Sequence, residues 1–281
     1  MTDAARGVRA APFFLAADPG QRLCIYYPPA DGPCRGAILY VPPFAEEMNK
    51  SRRMAALQAR ALSALGYGVL LIDLYGCGDS SGDFADARWD IWKRDLACAH
   101  RWLQQRLPAP VSLWGLRLGA LLALDYAAEP VAPVHALALW QPVQSGKTML
   151  TQFLRLRVAN EMLNEGGQAG TSTQALRAQL HAGATLEIAG YALAAPLALA
   201  IDALEMSALT PRGVKVDWFE AVGGAGQAVP PGAARVAQGW QAAGADFALH
   251  ALPCPAFWSA QEITECPALL AATSAVFEHA P

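Results

Sequence analysis

The residues that could carry chemistry lie in one short segment, Trp114-Gly115-Leu116-Arg117-Leu118-Gly119. It stands between a run typical of a buried strand and an Ala/Leu-rich run typical of a helix. Two glycines four residues apart are the pattern of the G-x-S-x-G turn, in which a strained central residue exposes a nucleophile. Arg117 occupies the place of that serine. A guanidinium stays protonated at physiological pH and is not a nucleophile.

The other two members of a serine triad are also missing from their usual places. The acid normally follows the next-to-last long strand in a G-x-x-D-x-x-V-P pattern, and in residues 224–230 its place is taken by Gln227. The base normally lies in the loop after the last strand, and residues 253–259 contain no histidine. Glu220 could replace the acid, but without a base it has nothing to orient. The sequence therefore argues against Ser-His-Asp chemistry.

The histidines elsewhere in the chain are poor substitutes for that base. His250 lies inside the last predicted strand, where a satisfied structural histidine is the commoner case. The other four fall on predicted helices (His100 and His181), at the start of a strand (His135) and in the C-terminal tail (His279).

An arginine at this turn concentrates positive charge where a helix begins. Unpaired N–H groups and the helix dipole favour an anion at that point, so a carboxylate or phosphate could pair with Arg117. An internal partner is equally favoured, because Glu46 or Glu47, in the loop after the third strand, could neutralise it. We expect a ligand site formed by seven residues: Phe44, Glu46, Glu47, Arg117, Leu118, Gln141 and Trp258. We expect Arg52 and Arg53 to lie at the exposed start of the next helix, although either could line the pocket mouth.

A second glycine-rich loop, DLYGCGDSSGDF, closes the fourth strand. Its glycines suit positive φ, and Asp79 and Ser80 suit satisfied backbone groups, so we favour a tight connecting turn. A catalytic role for Cys77 or Ser80 is the less favoured alternative, since a thiol needs a neighbouring base.

These segments need a scaffold of alternating strands and helices. Strands are predicted at 12–17, 22–27, 36–41, 67–73, 111–114, 135–140, 214–221 and 245–252, and helices at 51–65, 86–106, 117–128, 232–243 and 267–278. Residues 146–209 contain no strand-like run and predict an all-helical insertion with loops at 166–172 and 181–185. Its apolar stripe, which includes Met149, Phe153 and Leu156, favours core packing over a lipid groove.

This order predicts an α/β-hydrolase fold, a mostly parallel central sheet of about eight strands with a helical cap insertion. The core would comprise residues 1–144 and 213–281, and the cap residues 145–212. The segments PPFAEEMNKSRRM (42–54), DLYGCGDSSGDF, WGLRLGALLAL and QFLRLRVANEML (152–163) resemble the exosortase A system-associated hydrolases, second type. The resemblance covers essentially the whole chain. It implies a bacterium with an exosortase and exopolysaccharide system.

Composition excludes several classes of function. The net charge is −3 and the basic residues are scattered, which argues against nucleic-acid binding. The longest apolar run, YALAAPLALAI (191–201), is too short to cross a membrane, and no signal peptide is recognisable. The six cysteines show no metal-binding spacing and indicate reduced thiols, so we expect a cytoplasmic protein without a metal or cofactor. A homo-oligomer is compatible with the sequence.

Three functions remain open. The favoured one is a degenerate hydrolase that binds a small anionic or acyl-bearing molecule, or a partner, in exosortase or exopolysaccharide metabolism. The second is an active ester or thioester hydrolase, or an acyltransferase, with a non-standard nucleophile. The third is a pure interaction module, which predicts a pocket plugged by side chains.

Overall fold

An eight-stranded sheet forms the centre of the protein, in the strand order β1-β2-β4-β3-β5-β6-β9-β10. The computed structural model describes residues 10–30, 32–164, 172–224 and 226–279. The strands are β1 (Ala11–Ala16), β2 (Gln21–Tyr27), β3 (Gly36–Val41), β4 (Tyr67–Ile72), β5 (Val111–Leu116), β6 (Val134–Trp140), β7 (Thr185–Ile188), β8 (Tyr191–Ala194), β9 (Lys215–Val222) and β10 (Phe247–Pro253).

Within this strand order, every pair of neighbours from β4 through β3, β5, β6 and β9 to β10 is parallel. Only the pairs β1–β2 and β2–β4 are antiparallel. Every residue of β3 and of β5 is buried, as expected of continuous apolar runs covered on both faces. The carboxyl ends of β3, β5, β6, β9 and β10 therefore meet at one edge of the sheet. In open α/β sheets this is the edge where ligands bind.

Helices cover both faces of the sheet. They are α1 (Glu46–Ala64), α2 (Trp89–Arg106), α3 (Leu118–Ala128), α4 (Gly146–Asn164), α5 (Thr173–His181), α6 (Ala195–Asp202), α7 (Pro231–Ala242) and α8 (Pro267–Glu278). Buried side chains of α2, α3 and α7 belong to one core cluster, and those of α1 and α8 to a second. The predicted mostly parallel sheet of about eight strands is therefore present.

The first helix begins earlier than predicted, at Glu46 rather than Ser51. Ala45, with φ 50° and ψ −125°, makes a sharp turn after Pro42-Pro43, and the helix begins immediately afterwards. Glu46 and Glu47 consequently lie in the first turn of α1 and not in a loop. The second long helix begins later than predicted, because residues 84–86 form a separate 3₁₀ turn.

The insertion between β6 and β9 is not all-helical, and that prediction was wrong. It contains α4, α5 and α6, but also the antiparallel hairpin of β7 and β8. Ala189 and Gly190 both have positive φ, the requirement of a type I′ hairpin turn, and Leu186 and Ile188 are buried on alternate positions. Two four-residue strands are too short for a clear alternation, and the second merges in sequence with the apolar helix α6.

The insertion begins at the edge of the sheet that carries the carboxyl ends. Ser145 and Glu205 form an isolated β-bridge where the chain leaves and returns. The division into core (1–144 and 213–281) and cap (145–212) stays a prediction. The predicted loop 166–172 lies almost entirely outside the described residues.

Within the described part of the chain, no helix is both long and apolar enough to cross a membrane.

Candidate functional site

Arg117 is the turn between β5 and α3. Its backbone has φ 56° and ψ −119°, a strained conformation for a residue with a side chain. A β-carbon on Gly119 would come within 2.3 Å of the carbonyl oxygens of Val41 and Pro42, and one on Gly115 within 2.5 Å of Ala120. Both glycines are therefore required by close backbone approach, as the sequence pattern predicted.

Two further residues with positive φ follow strands at the same edge of the sheet. Ala45 lies after β3, and its dihedral angles nearly repeat those of Arg117. Gln141, with φ 42°, lies directly after β6. Strain of this kind clusters at functional sites, and here it lies on three neighbouring elements around one surface.

The Arg117 side chain pairs with Glu47. Its Nε donates to Glu47 Oε1 at 3.2 Å, and the two side chains are 15% and 17% exposed. The guanidinium also lies over the ring of Trp258, 5.4 Å from its centroid, a cation–π contact. In the part of the chain that the structure describes, the two terminal nitrogens of Arg117 donate no hydrogen bond. Arg117 thus has an internal partner and retains free donors.

This pair lines a solvent-open cleft of about 270 Å³. Its lining combines charged groups at the base with apolar side chains from α4 and the loop after β10: Phe44, Glu46, Glu47, Arg117, Met149, Gln152, Phe153, Leu156, Trp258 and Ser259. Arg117 therefore both pairs with Glu47 and faces an open cleft. The two arrangements that the sequence left as alternatives occur together.

Five of the seven expected ligand-site residues line this cleft. The side chain of Leu118 is instead buried beside a small apolar gap of about 10 Å³ that Phe44 also lines. Gln141 lies to one side and bonds the next strand, because its Nε2 donates to Glu220 at 3.0 Å and its Oε1 accepts from the backbone N–H of Ala221 at 2.6 Å. The structure adds five lining residues, Met149, Gln152, Phe153, Leu156 and Ser259. The only sequence signal for any of them was the apolar stripe of the insertion, which includes Met149, Phe153 and Leu156.

The carboxylates around Arg117 are strongly affected by burial. Burial raises the pKa of Glu47, and the opposing charge and hydrogen bond of Arg117 lower it less. The second oxygen of Glu47 is buried and has no hydrogen-bond partner among the described residues. Burial also raises the pKa of Glu220, against hydrogen bonds from Trp218 and Gln141 and the charge of Arg117. The charge of Arg117 thus acts on two carboxylates, those of Glu47 and Glu220.

The positions expected for an acid and a base hold other residues. Gln227 is exposed in the loop after β9. Glu220 is buried and accepts from Trp218 Nε1 at 2.9 Å as well as from Gln141. Its carboxylate therefore links the end of β9 to the residue that follows β6. In the loop after β10, the residue that reaches Arg117 is Trp258 rather than a histidine.

All five histidines lie in the part of the chain that the structure describes, and none of them lines the cleft. His250 bonds Asp217 at 2.8 Å and stacks on Phe219, on the sheet face covered by α8. His100 is buried with its Nδ1 3.0 Å from the hydroxyl of Tyr126. The other three lie beside a cavity near the start of β6 (His135), in the last turn of α5 (His181) and at the end of α8 (His279).

The glycine-rich loop after β4 is a structural turn. Ser80 Oγ donates to the Asp73 carbonyl at 2.6 Å and accepts from the Leu23 N–H at 2.9 Å. Burial, together with the charges of Asp73 and Asp95, raises the pKa of Cys77 to about 12, so its thiolate is disfavoured.

The remaining candidates also have structural partners. Arg52 forms a bidentate pair with Asp73 (3.2 and 2.9 Å), and Arg53 pairs with Glu265. Neither lines the cleft. The described residues contain no group of three or more His, Cys, Asp or Glu side chains that could hold a metal ion.

Comparisons with known proteins place this geometry in context. A family model described as serine aminopeptidase, S33, matches residues 32–199, more than half of the chain. Among solved structures, Est1E from Butyrivibrio proteoclasticus with bound ferulic acid superposes with a TM-score of 0.66 at 15% identity, covering 95% of this chain and 96% of that one. DcsB in complex with its substrate analogue gives 0.63 at 15% identity, covering 96% and 98%.

A thermostable carboxyl esterase from Bacillus coagulans in complex with glycerol gives a TM-score of 0.59 at 15% identity, covering 87% of this chain and 89% of that one. No curated protein matches the sequence. At these identities the likeness concerns the fold, and it confirms the predicted α/β-hydrolase architecture. The exosortase-associated group stays a resemblance.

Proposed function

This chain belongs to the serine aminopeptidase S33 family of α/β-hydrolases, and we propose that it binds a ligand at the family's nucleophile position instead of hydrolysing one. The ligand is a small acyl- or aryl-bearing molecule with an anionic head group. The observation that carries this proposal is Arg117 itself, which keeps the strained backbone of a nucleophile turn while directing a guanidinium into an open cleft.

Three separate replacements support the proposed absence of triad chemistry. Arg117 cannot attack a carbonyl, Gln227 cannot stabilise an imidazolium, and residues 253–259 place Trp258 against Arg117 and contain no histidine. Losing one group would permit a variant mechanism. Losing all three leaves the described cleft without a nucleophile–base pair.

The composition of the cleft supports a ligand with two ends. Phe44, Met149, Phe153 and Leu156 offer an apolar wall suited to an acyl or aryl group. At the base, the terminal nitrogens of Arg117 are free to bind a carboxylate, sulfonate or phosphate, and the N-terminus of α3 adds a favourable dipole. Est1E holds ferulic acid on the same fold, which makes aryl carboxylates suitable first probes.

The two other functions have less support. An active hydrolase with Cys77 or Ser80 as nucleophile is suggested by family membership, but Ser80 is hydrogen-bonded within the turn after β4 and burial raises the pKa of Cys77. A pure interaction module predicts a plugged pocket, and the cleft of about 270 Å³ is open. We further propose the exosortase and exopolysaccharide setting as the physiological context, on the resemblance of the four segments named above.

Calorimetric titration with octanoate, octyl phosphate and ferulate tests the proposal. We expect at least one of these to bind, and Arg117→Gln to weaken it at least tenfold, about 1.4 kcal/mol. The glutamine amide ends where Arg117 Nε lies, so it can keep a donor toward Glu47 while the charge and both terminal nitrogens are removed. Arg94→Gln removes an exposed guanidinium on α2 that pairs with Asp90, so it is the matched control and should leave binding unchanged.

Two results would overturn the proposal. One is equal binding of every probe by the wild type and Arg117→Gln. The other is turnover of p-nitrophenyl butyrate by the wild type that disappears in Arg117→Gln and persists in Arg94→Gln.

A further inference from the structure

Two cysteines meet beside the loop that forms one wall of the cleft. Cys254 follows β10 directly and is half-buried, and Cys266 is the buried residue before the first turn of α8. Both side chains pack into the apolar cluster that includes α1 and α8. Cys266 Sγ lies 3.9 Å from the carbonyl oxygen of Pro253, the chain neighbour of Cys254. Each thiol is also the strongest influence on the pKa of the other, so the two side chains are neighbours in the reduced protein.

The surroundings favour a thiolate on one member of this pair. The neighbouring thiol of Cys254 and the backbone N–H groups of Ala268 and Leu269 lower the pKa of Cys266, against the opposing effect of burial. The helix dipole of α8 acts in the same direction. The pKa of Cys254 is raised by the neighbouring Cys266 and by burial, and burial raises the pKa of Cys24, Cys77 and Cys98.

We propose that Cys254 and Cys266 form a redox-modification site that a small peroxide oxidises to a disulfide. The Cys266 sulfur attacks the peroxide O–O bond and becomes a sulfenic acid, and its proton leaves with the other oxygen as water. The Cys254 sulfur then attacks the Cys266 sulfur. The S–O bond breaks, and hydroxide leaves with the remaining proton as a second water. Two thiols and one peroxide give one disulfide and two waters.

This modification would act on the cleft through the loop between the two cysteines. Residues 255–265 include Phe257 and Trp258, both buried, and Trp258 lies over the guanidinium of Arg117. A covalent bond across the base of this loop reduces its freedom to open. We therefore infer that oxidation changes ligand affinity at Arg117, a consequence that rests on the proposed function, whereas the disulfide itself does not.

Peptide mapping after peroxide treatment of the folded protein tests the site. Trypsin has no site between the two cysteines, so both remain in the peptide after Arg235, which should become lighter by two hydrogen atoms. A glutamate-specific protease cuts after Glu262 and Glu265, and the two fragments should then separate only on reduction. Two of the six thiols should be lost to a thiol reagent under denaturing conditions.

Single variants keep the test independent of folding defects. Cys254→Ser changes the half-buried member and should abolish the disulfide, whereas Cys98→Ser, on α2, should leave it unchanged. Peroxide treatment that leaves Cys254 and Cys266 reduced, oxidises them only to sulfinic acids, or links either to another cysteine would overturn the proposal.

Titrating the reduced and oxidised proteins with the ligand of Arg117 tests the consequence separately. We expect at least a threefold difference in Kd that is absent in Cys254→Ser. Formation of the disulfide with an unchanged Kd would refute the coupling to the cleft and keep the modification site. The effect of Arg117→Gln on ligand binding is measured on the reduced protein only. The proposed ligand binding and the proposed disulfide can therefore fail independently.

Discussion

The electrostatic balance at Arg117 decides what the cleft can bind. Glu47 is held against its Nε at 3.2 Å, and the raised pKa of Glu47 shows that burial outweighs this pairing. An anion bound to the terminal nitrogens would lie close to the Glu47 carboxylate and repel it. Ligand binding should therefore compete with the negative charge of Glu47.

Anion affinity is consequently expected to rise as the pH falls. A bound anion raises the pKa of Glu47 further, so binding takes up a proton, and proton uptake means tighter binding at lower pH. The effect should appear as the pH decreases from about 7.5 toward the ordinary glutamate value of 4.5. Octylsulfonate is the appropriate probe, because its own charge is constant over this range, and calorimetric Kd values give the slope.

The variant Glu47→Gln separates the contribution of Glu47 to the pH dependence of binding from the contributions of other titrating groups. The amide oxygen can still accept from Arg117 Nε, but the charge is gone, so binding at pH 7.5 should tighten about tenfold, or about 1.4 kcal/mol, and lose most of its pH dependence. Glu46→Gln, at a neighbouring carboxylate 3.9 Å from Lys50, should have a smaller effect. Weaker octylsulfonate binding in Glu47→Gln at every pH would contradict this account.

At the scale of elements, the site depends on how closely α3 approaches β3. The helix begins directly after Arg117, and Gly119 in its first turn touches the backbone at the end of β3. A methyl group there meets two carbonyl oxygens at 2.3 Å, and backbone atoms cannot move aside as a flexible side chain can. The glycine therefore fixes the distance between the turn and the neighbouring strand end.

Gly119→Ala should destabilise the protein by at least about 2 kcal/mol, because the added carbon overpacks a backbone contact. Gly239→Ala, within α7, is the matched control, since its β-carbon would meet no atom within 4 Å. Alanine is the better helix former, so this variant should be neutral or more stable by up to about 1 kcal/mol. Urea denaturation followed by circular dichroism measures both, and equal stability of the two variants would refute the close-contact explanation.

At the scale of the whole molecule, the insertion and the sheet share one hydrophobic core. Phe153 of α4 packs edge-on against Phe44 of the β3–α1 turn, 5.0 Å between ring centroids. Leu150, Phe153 and Leu154 belong to the same buried cluster as the side chains of α2 and α3. We therefore expect the insertion to unfold together with the sheet.

Phe153→Ala should lower the free energy of unfolding by about 3–5 kcal/mol through loss of buried apolar area and creation of a cavity. Tryptophan fluorescence and circular dichroism should still report one coincident urea transition. Leu163→Ala, on the same helix but 83% exposed, should change stability by no more than about 0.5 kcal/mol. A separate early transition for the insertion would show that it is an independent unit.

The sequence by itself determined the scaffold and the residues that occupy the usual triad positions. Continuous apolar runs, period-2 alternation and 3.6-residue patterns located the eight strands of the sheet and the helices that cover it, because the central strands are buried on both faces and the helices on one. The two glycines located the sharp turn, since no other residue permits such close approach of backbones. The hairpin of β7 and β8 escaped prediction, because four residues are too few to distinguish alternation from an apolar helix.

Only the tertiary structure decided what surrounds Arg117. Glu47, Trp258 and Phe153 come from three distant parts of the chain, and no local pattern specifies which of them reaches the turn. The start of α1 depends on the strained backbone of Ala45, and that start selects Glu47 as the partner. Side-chain contacts of this kind depend on how whole elements pack against one another.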